Sequence, residues 1–380
     1  MPDYEDEDHV RVPIPDDKVV PMPTRVPRIL TSEQFVRGFV PPDYILDGVL
    51  QRRFFYSLTG KTGAGKTALM LLLASHVALA KPLLEREVDG GKVLYLAGEN
   101  ADDVRMRWIA MAQQMGFDIS TIDVNFIPGV FKITEMYQRV RAEIVLAGDV
   151  AAIFIDTSAA FFEGIDENDN KQAGDHARLL RRFTEMPGRP CTIAACHPVK
   201  NATDENLVPR GGGAFLNEVD GNLAAKAHDG SIEISAQGKF RGPDFAPITF
   251  QLRTVTHQDL KDSKGRLIPT VVASPLSEIG REEIAKTAHF RENELLAALS
   301  EPANRTASLA DLARTLQWFM GDGQPYKVMV QRTIKSLIAE KLVVKRRGRL
   351  ELTSQGEQEI AMAETRRRPG AQPRGADHDD

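Results

Sequence analysis

The chain reads as an α/β protein: a mainly parallel sheet with helices on both faces, antiparallel strands along one edge, and a smaller α+β unit behind it. Three observations predict this. Short apolar runs alternate with longer stretches of helical spacing between about residues 31 and 256. A glycine-rich loop, Gly60-Lys-Thr-Gly-Ala-Gly-Lys-Thr67, stands between one such run and one such helix. After residue 289 the spacing changes to three helical patterns followed by a short ribbon with a basic tip.

The elements follow in order. Residues 1–30 are acidic and rich in proline, which predicts extended or disordered chain. Phe54, Phe55, Tyr56 and Leu58 make the first core strand, and Ala68 to Ala80 the helix after the glycine loop. Further strands are read at Val93–Ala97, Ala151–Ile155 and Cys191–Cys196, with helices at about 101–115, 134–147 and 171–186. The runs at Leu223–Ala227, Ser231–Ile234 and Ile248–Leu252 are separated by tight turns such as Asp229-Gly230, and are expected as antiparallel strands at one edge. Residues 31–256 would form this first domain. Polar, irregular sequence at 257–288 predicts a linker, 289–362 a second domain, and 363–380 a disordered tail.

Composition sets outer limits. Apolar residues at 42% and charged residues at 27% place the chain among ordinary globular proteins, and no apolar run reaches the length of a membrane span. A cytoplasmic location is expected. Cys191 and Cys196 are an odd number of residues apart on one strand, so they face opposite sides and support neither a disulfide framework nor a zinc site. The net charge of −5 hides an uneven distribution: the first twenty residues are acidic, whereas Lys327–Arg349 carries eight cations against Glu340 alone.

The glycine loop carries the chemistry. It fits G-x-x-x-x-G-K-[ST], and its strand–loop–helix context makes it a phosphate cradle. Backbone N–H groups of Gly60, Lys61, Thr62, Gly63, Ala64 and Gly65 would face the phosphates, aided by the start of the helix at Lys66, Thr67 and Ala68. Lys66 would reach the β- and γ-phosphates of ATP, and the Thr67 hydroxyl would hold Mg²⁺. A second carboxylate for that ion, through water, is expected at Asp156, because an acid ending the apolar run Ile153-Phe-Ile is costly to bury without a cation. Thr157 follows where an adjacent acid could have served as base. Glu99, just past Val93–Ala97, is the candidate base for the attacking water; its alternative is to cap the helix beginning near Ala101, a task open to Asn100 as well.

These residues resemble the RecA-like hexameric ATPases, in particular the plasmid RepA-type helicase branch. The likeness runs over about residues 31–256 and includes Pro41-Pro-Asp-Tyr-Ile-Leu-Asp-Gly48, the phosphate loop, Tyr95-Leu-Ala-Gly-Glu99 and Ile155-Asp-Thr157. It continues through Gly164-Ile-Asp-Glu-Asn-Asp-Asn170 and Ala195-Cys-His197. The resemblance implies a RecA-like P-loop NTPase core, assembly into a hexameric ring, and ATP-driven work on DNA. It also implies that His197 senses the γ-phosphate and that Lys239 and Arg241, a K-x-R pair, reach the nucleotide of the neighbouring subunit. Family members carry DNA-facing loops where this chain has Asn201–Gly213. Lys200 and Arg210 are the candidate contacts to single-stranded DNA in the ring channel; a plain surface loop is the equal alternative.

The C-terminal unit resembles a winged helix-turn-helix. Ser308 caps a helix with Asp311 at N3, and Tyr326–Lys341 places apolar residues on one face. Lys327, Gln331, Arg332 and Lys335 on that helix, with Arg346, Arg347 and Arg349 on the wing, are the candidate contacts to duplex DNA. Docking of a protein partner is the alternative use of such a fold. The sequence thus predicts an ATPase with Mg²⁺, DNA as partner and a homo-oligomeric ring, acting as helicase or translocase in replication of a plasmid, phage or mobile element. An ATP-switched DNA-binding regulator or loader without unwinding activity, and a replication ATPase whose winged helix docks a protein, are the other readings.

Overall fold

The computed structural model of the protein describes residues 29–367, apart from 229, 277, 321, 322 and 347. Residues 1–28 of the N-terminus expected to be extended or disordered over 1–30, the last part of the tail and Arg347 lie outside these. The chain divides between Pro42 and Asp43. In the first unit, α1 (Ser32–Arg37) is closed by a capping box in which the Thr31 hydroxyl and the Gln34 side chain each accept the other's backbone N–H.

In the second unit, β1 (Tyr44–Leu46) and β2 (Leu50–Gln51) form a short antiparallel ribbon. The main elements then follow: β3 (Phe55–Thr59), α2 (Lys66–Ala78), β4 (Lys92–Ala97), α3 (Ala101–Met115) and β5 (Val124–Pro128). Next come α4 (Ile133–Ala147), β6 (Val150–Asp156), α5 (Asn170–Arg181), β7 (Cys191–Cys196) and α6 (Gly212–Glu218). The last strands of the sheet are β8 (Gly221–His228), β9 (Ser231–Phe240), β10 (Ile248–Val255) and β11 (Thr270–Pro275).

These strands make one sheet in the order β11-β10-β9-β8-β3-β7-β6-β4-β5. β5 through β8 in that order are parallel, and β8 to β11 pair antiparallel. Every residue of β3, β6 and β7 is buried, as strands covered on both faces must be, which is why they read as apolar runs without alternation. One face packs on α2 and α3 through Leu69, Leu72 and Trp108; the other packs on α4 and α5 through Tyr137, Ile144 and Leu180. Cys191 belongs to the first layer and Cys196 to the second, as their odd spacing requires.

Three expectations are corrected. The run at 223–227 is not simply an antiparallel edge strand, since β8 lies parallel against β3 and only then turns the sheet antiparallel. The stretch 257–288 is not a linker: it contains β11, paired along its whole length with β10, and the start of α7 (Glu278–Ser300). The tail begins later than residue 363, because α10 (Ser354–Arg367) continues past it. Between α7 and α10 lie α8 (Leu309–Thr315), α9 (Lys327–Ala339) and the hairpin of β12 (Val343–Arg346) with β13 (Arg349–Leu352). Leu295, Leu299, Leu312, Val330, Leu337 and Val343 form their shared core. Among the described residues, no helix is long and apolar enough to cross a membrane.

Candidate functional site

The phosphate loop leaves the C-terminal end of β3 and enters α2, where ligands of an open parallel sheet are held. Two of its glycines are required by geometry. A Cβ on Gly60 would stand 2.7 Å from the Ala225 carbonyl oxygen on β8, and Gly65 caps α2 at φ 92°, in the left-handed region. Lys66 is buried, and its ammonium donates to the Gly60 carbonyl at 2.7 Å and the Lys61 carbonyl at 3.1 Å. Burial lowers its pKa, while Cys196, Asp156 and Glu99 act in the opposite direction.

Asp156 ends β6 beside the loop, 3% exposed. Its Oδ2 accepts the Tyr95 hydroxyl at 2.7 Å, and its buried Oδ1 has no hydrogen-bond donor among the described residues. Burial raises its pKa; the Tyr95 and Thr67 hydroxyls and the Lys66 ammonium counter this in part. A buried, partnerless carboxylate oxygen next to a threonine hydroxyl fits a hard divalent cation that takes its remaining ligands from phosphate and water. Among the described residues no cluster of three acidic, His or Cys side chains offers an all-protein metal cage, and a Mg²⁺ held mainly by substrate needs none.

Asn100, not Glu99, caps α3: its side chain accepts from the N–H groups of Asp102 and Asp103 at 3.1 Å each. Glu99 is exposed at the mouth of the cleft, held by its backbone N–H donating to the Asp156 carbonyl at 3.2 Å. His197 follows β7 and borders the same cleft. Burial, Lys66 and Arg210 lower its pKa, which keeps the imidazole neutral at pH 7. The structure therefore brings Lys66, Thr67, Glu99, Asp156 and His197 to one cleft of about 930 Å³, within the range of small-molecule sites.

Other residues lie elsewhere. Lys239 donates to the Asn217 carbonyl, and Arg241 pairs with the buried Asp220 at 2.9 Å. Asp220 also accepts the N–H of Phe55, at the start of β3. The cation pair thus sits at the opposite end of β3 from the phosphate loop, about 13 Å away along the strand at 3.3 Å per residue.

The loop after β7, read from the sequence as DNA-facing or as plain surface loop, is anchored. Leu207 is buried, Val199 donates to the Val208 carbonyl at 3.1 Å, and Asp204 pairs with Lys61 of the phosphate loop at 2.7 Å. Lys200 is exposed, whereas Arg210 is held by Glu167 at 2.8 Å. The three glycines start α6 rather than loosen the loop; a Cβ on Gly211 would stand 2.2 Å from that of Ala173. The acidic run before α5 has a local task as well, since Asp169 caps that helix by accepting from Gln172 at 2.8 Å.

Lys327, Gln331 and Lys335 are exposed on α9, and Arg346 and Arg349 on the hairpin. Arg332, grouped with them by sequence, borders the nucleotide cleft instead. Tyr95 was not foreseen; the one available signal is a phenol inside an aliphatic strand, which when buried needs a polar partner. Nothing in the sequence marks Leu252 of β10, which would meet a Cβ on Gly65 at 2.7 Å and so roofs the loop.

No curated protein matches the chain. Residues 22–203 match the family model of an AAA domain, a span that holds the phosphate loop, Glu99, Asp156 and His197. Over that span the chain carries an ATPase domain of the P-loop kind.

Proposed function

We propose that the chain is an ATP-hydrolysing, ring-forming DNA translocase or helicase, acting in replication of a plasmid, phage or other mobile element. The observation that supports it is the placement of Lys239 and Arg241. A K-x-R pair held at the far end of β3, Arg241 by Asp220 and Lys239 by the Asn217 carbonyl, is out of reach of its own phosphate loop, and would meet a nucleotide only on a neighbouring copy. A ring of such copies completes every site at an interface.

Within one site, Lys66 swings from the loop carbonyls to the β- and γ-phosphates, and the loop N–H groups cradle them. Thr67, and Asp156 through water, would hold Mg²⁺, which would supply charge neutralisation on the phosphate oxygens when bound. Glu99 orients the attacking water and takes its proton, and neutral His197 hydrogen-bonds the γ-phosphate. Arg241 of the neighbour adds positive charge where it develops in transfer. Exposed cations on α9 and the hairpin, Lys327, Lys335, Arg346 and Arg349, contact the DNA backbone. Strand displacement measured with ATP, alongside mass in the presence of a non-hydrolysable analogue, tests the proposal. Monomers that hydrolyse ATP at the full rate without displacing strands would overturn it.

A second reading is favoured by the anchored loop after β7. With Arg210 held by Glu167, that loop offers few cations to a channel, which suits an ATP-switched DNA-binding regulator or loader that never unwinds. ATP-dependent DNA binding without strand displacement would select it.

A further inference from the structure

The cleft that holds the phosphate loop has a second wall. It is bordered by Thr287 and Arg291 of α7, by Tyr326 just before α9, and by Met329 and Arg332 of α9, all from the C-terminal unit of the same chain. Arg291 donates to the Met329 sulfur at 3.6 Å, which ties the two helices at this wall. Further along, Glu292 of α7 accepts the Ser336 hydroxyl of α9 at 2.6 Å, so the two helices are fixed to each other at a second point.

A triphosphate has a direction in this cleft. Its phosphate end is set by Lys66, Thr67, Asp156 and Glu99. The rest of the molecule must extend into the remaining space, bordered by Arg107, Leu252, Thr254 and Val271 together with the α7 and α9 residues. Arg107 is already committed to Asp103 at 2.6 Å and the Val271 carbonyl at 2.9 Å. An aromatic ring, a thioether and two guanidinium groups on the C-terminal wall are a suitable set for a nucleoside: a π face and apolar surface for the base, and planar cations for the ribose oxygens and the acceptor nitrogens of the base.

We infer that the C-terminal unit completes the nucleoside end of the ATP site in its own chain, with Tyr326 and Met329 against the base and Arg291 and Arg332 as its cations. This rests on the phosphate loop binding ATP. It goes further in making α9 a shared element: Arg332 serves nucleotide, and Lys327, Gln331 and Lys335 are left to nucleic acid. Nucleotide and DNA binding are then coupled, and each changes the other's affinity by the same factor.

The test uses the full chain, titrated with ATP and with inorganic tripolyphosphate. Tyr326→Ala and Arg332→Ala should each raise the Kd for ATP by about tenfold, the size of one lost charge-assisted or stacking contact. Both should leave the Kd for tripolyphosphate within about twofold, because that ligand lacks the nucleoside. In the unaltered chain, ATP should slow hydrogen exchange across residues 326–332, and tripolyphosphate should not. Were a variant to lose both ligands through misfolding, the exchange measurement on the unaltered chain decides. ATP binding with unchanged exchange at 326–332 and unchanged variant affinities would overturn the inference while leaving the phosphate loop intact. Failure of the unaltered chain to bind either ligand would overturn both.

Discussion

Tyr95→Phe removes one oxygen atom and tests the logic of the Asp156 site. The hydroxyl donates to Asp156 at 2.7 Å, and the other carboxylate oxygen has no donor among the described residues. The ring sits 5.5 Å from Phe126 and 6.0 Å from Phe154, contacts that phenylalanine keeps, so no cavity forms. What is lost is a hydrogen bond to a buried charge, about 2 kcal/mol. Without that bond the Asp156 pKa, which burial already raises, should rise further. Because its folded pKa lies above its unfolded one, the folded chain holds the proton more tightly. Stability from this group is greatest below the ordinary carboxylate range and falls as pH rises through the folded pKa. The variant should therefore lose about 2 kcal/mol at pH 7 and much less near pH 3.5, read from urea unfolding of both proteins at each pH. Its ATPase should need roughly tenfold more Mg²⁺ for half-maximal rate, with the acid limb of the pH profile moved upward. Equal destabilisation at both pH values, with an unchanged Mg²⁺ requirement, would refute the argument that Tyr95 stabilises an ionised Asp156.

Glu99→Gln should retain ATP binding and lose at least a hundredfold in turnover, the usual weight of a general base; near-normal hydrolysis would remove Glu99 from that role. Arg241→Ala and Lys66→Ala should each be inactive alone, yet mixed assemblies should recover part of the activity, since some interfaces then hold both an intact loop and an intact finger. No recovery in assemblies verified by mass would place the finger in its own subunit or nowhere. Arg346→Ala with Arg349→Ala should weaken duplex binding for all sequences and flatten the slope of log affinity against log salt by about 2, one unit per lost phosphate contact. Gln331→Ala should instead matter for one preferred sequence, as base readout requires.

The central strands were legible because burial on both faces leaves an unbroken apolar run, and the phosphate loop because its glycines answer to backbone geometry. The edges were not. In β5 the burial alternates only partly, and in β11 a six-residue pairing hides in a polar stretch, because an edge strand needs little apolar surface. The parallel pairing of β8 with β3 joins residues more than 160 apart, and local turns carry no information about it. Asp156 was found from its cost of burial, but Tyr95 became meaningful only once β4 and β6 were placed in register. For Arg332, helical spacing gave its exposed side correctly and could not say what that side faces.

α7 has a mechanical meaning beyond its sequence. It begins three residues after β11, and β11 packs against α2, the helix of the phosphate loop, and α3, the helix behind Glu99. Its far end is buried in the C-terminal core through Leu295 and Leu299. A continuous helix of 23 residues is about 34 Å of stiff rod. A tilt of about 10° at the root moves the far end by about 6 Å, more than one helical turn. Small adjustments among the helices around the nucleotide would thus reach the basic hairpin geared up rather than damped.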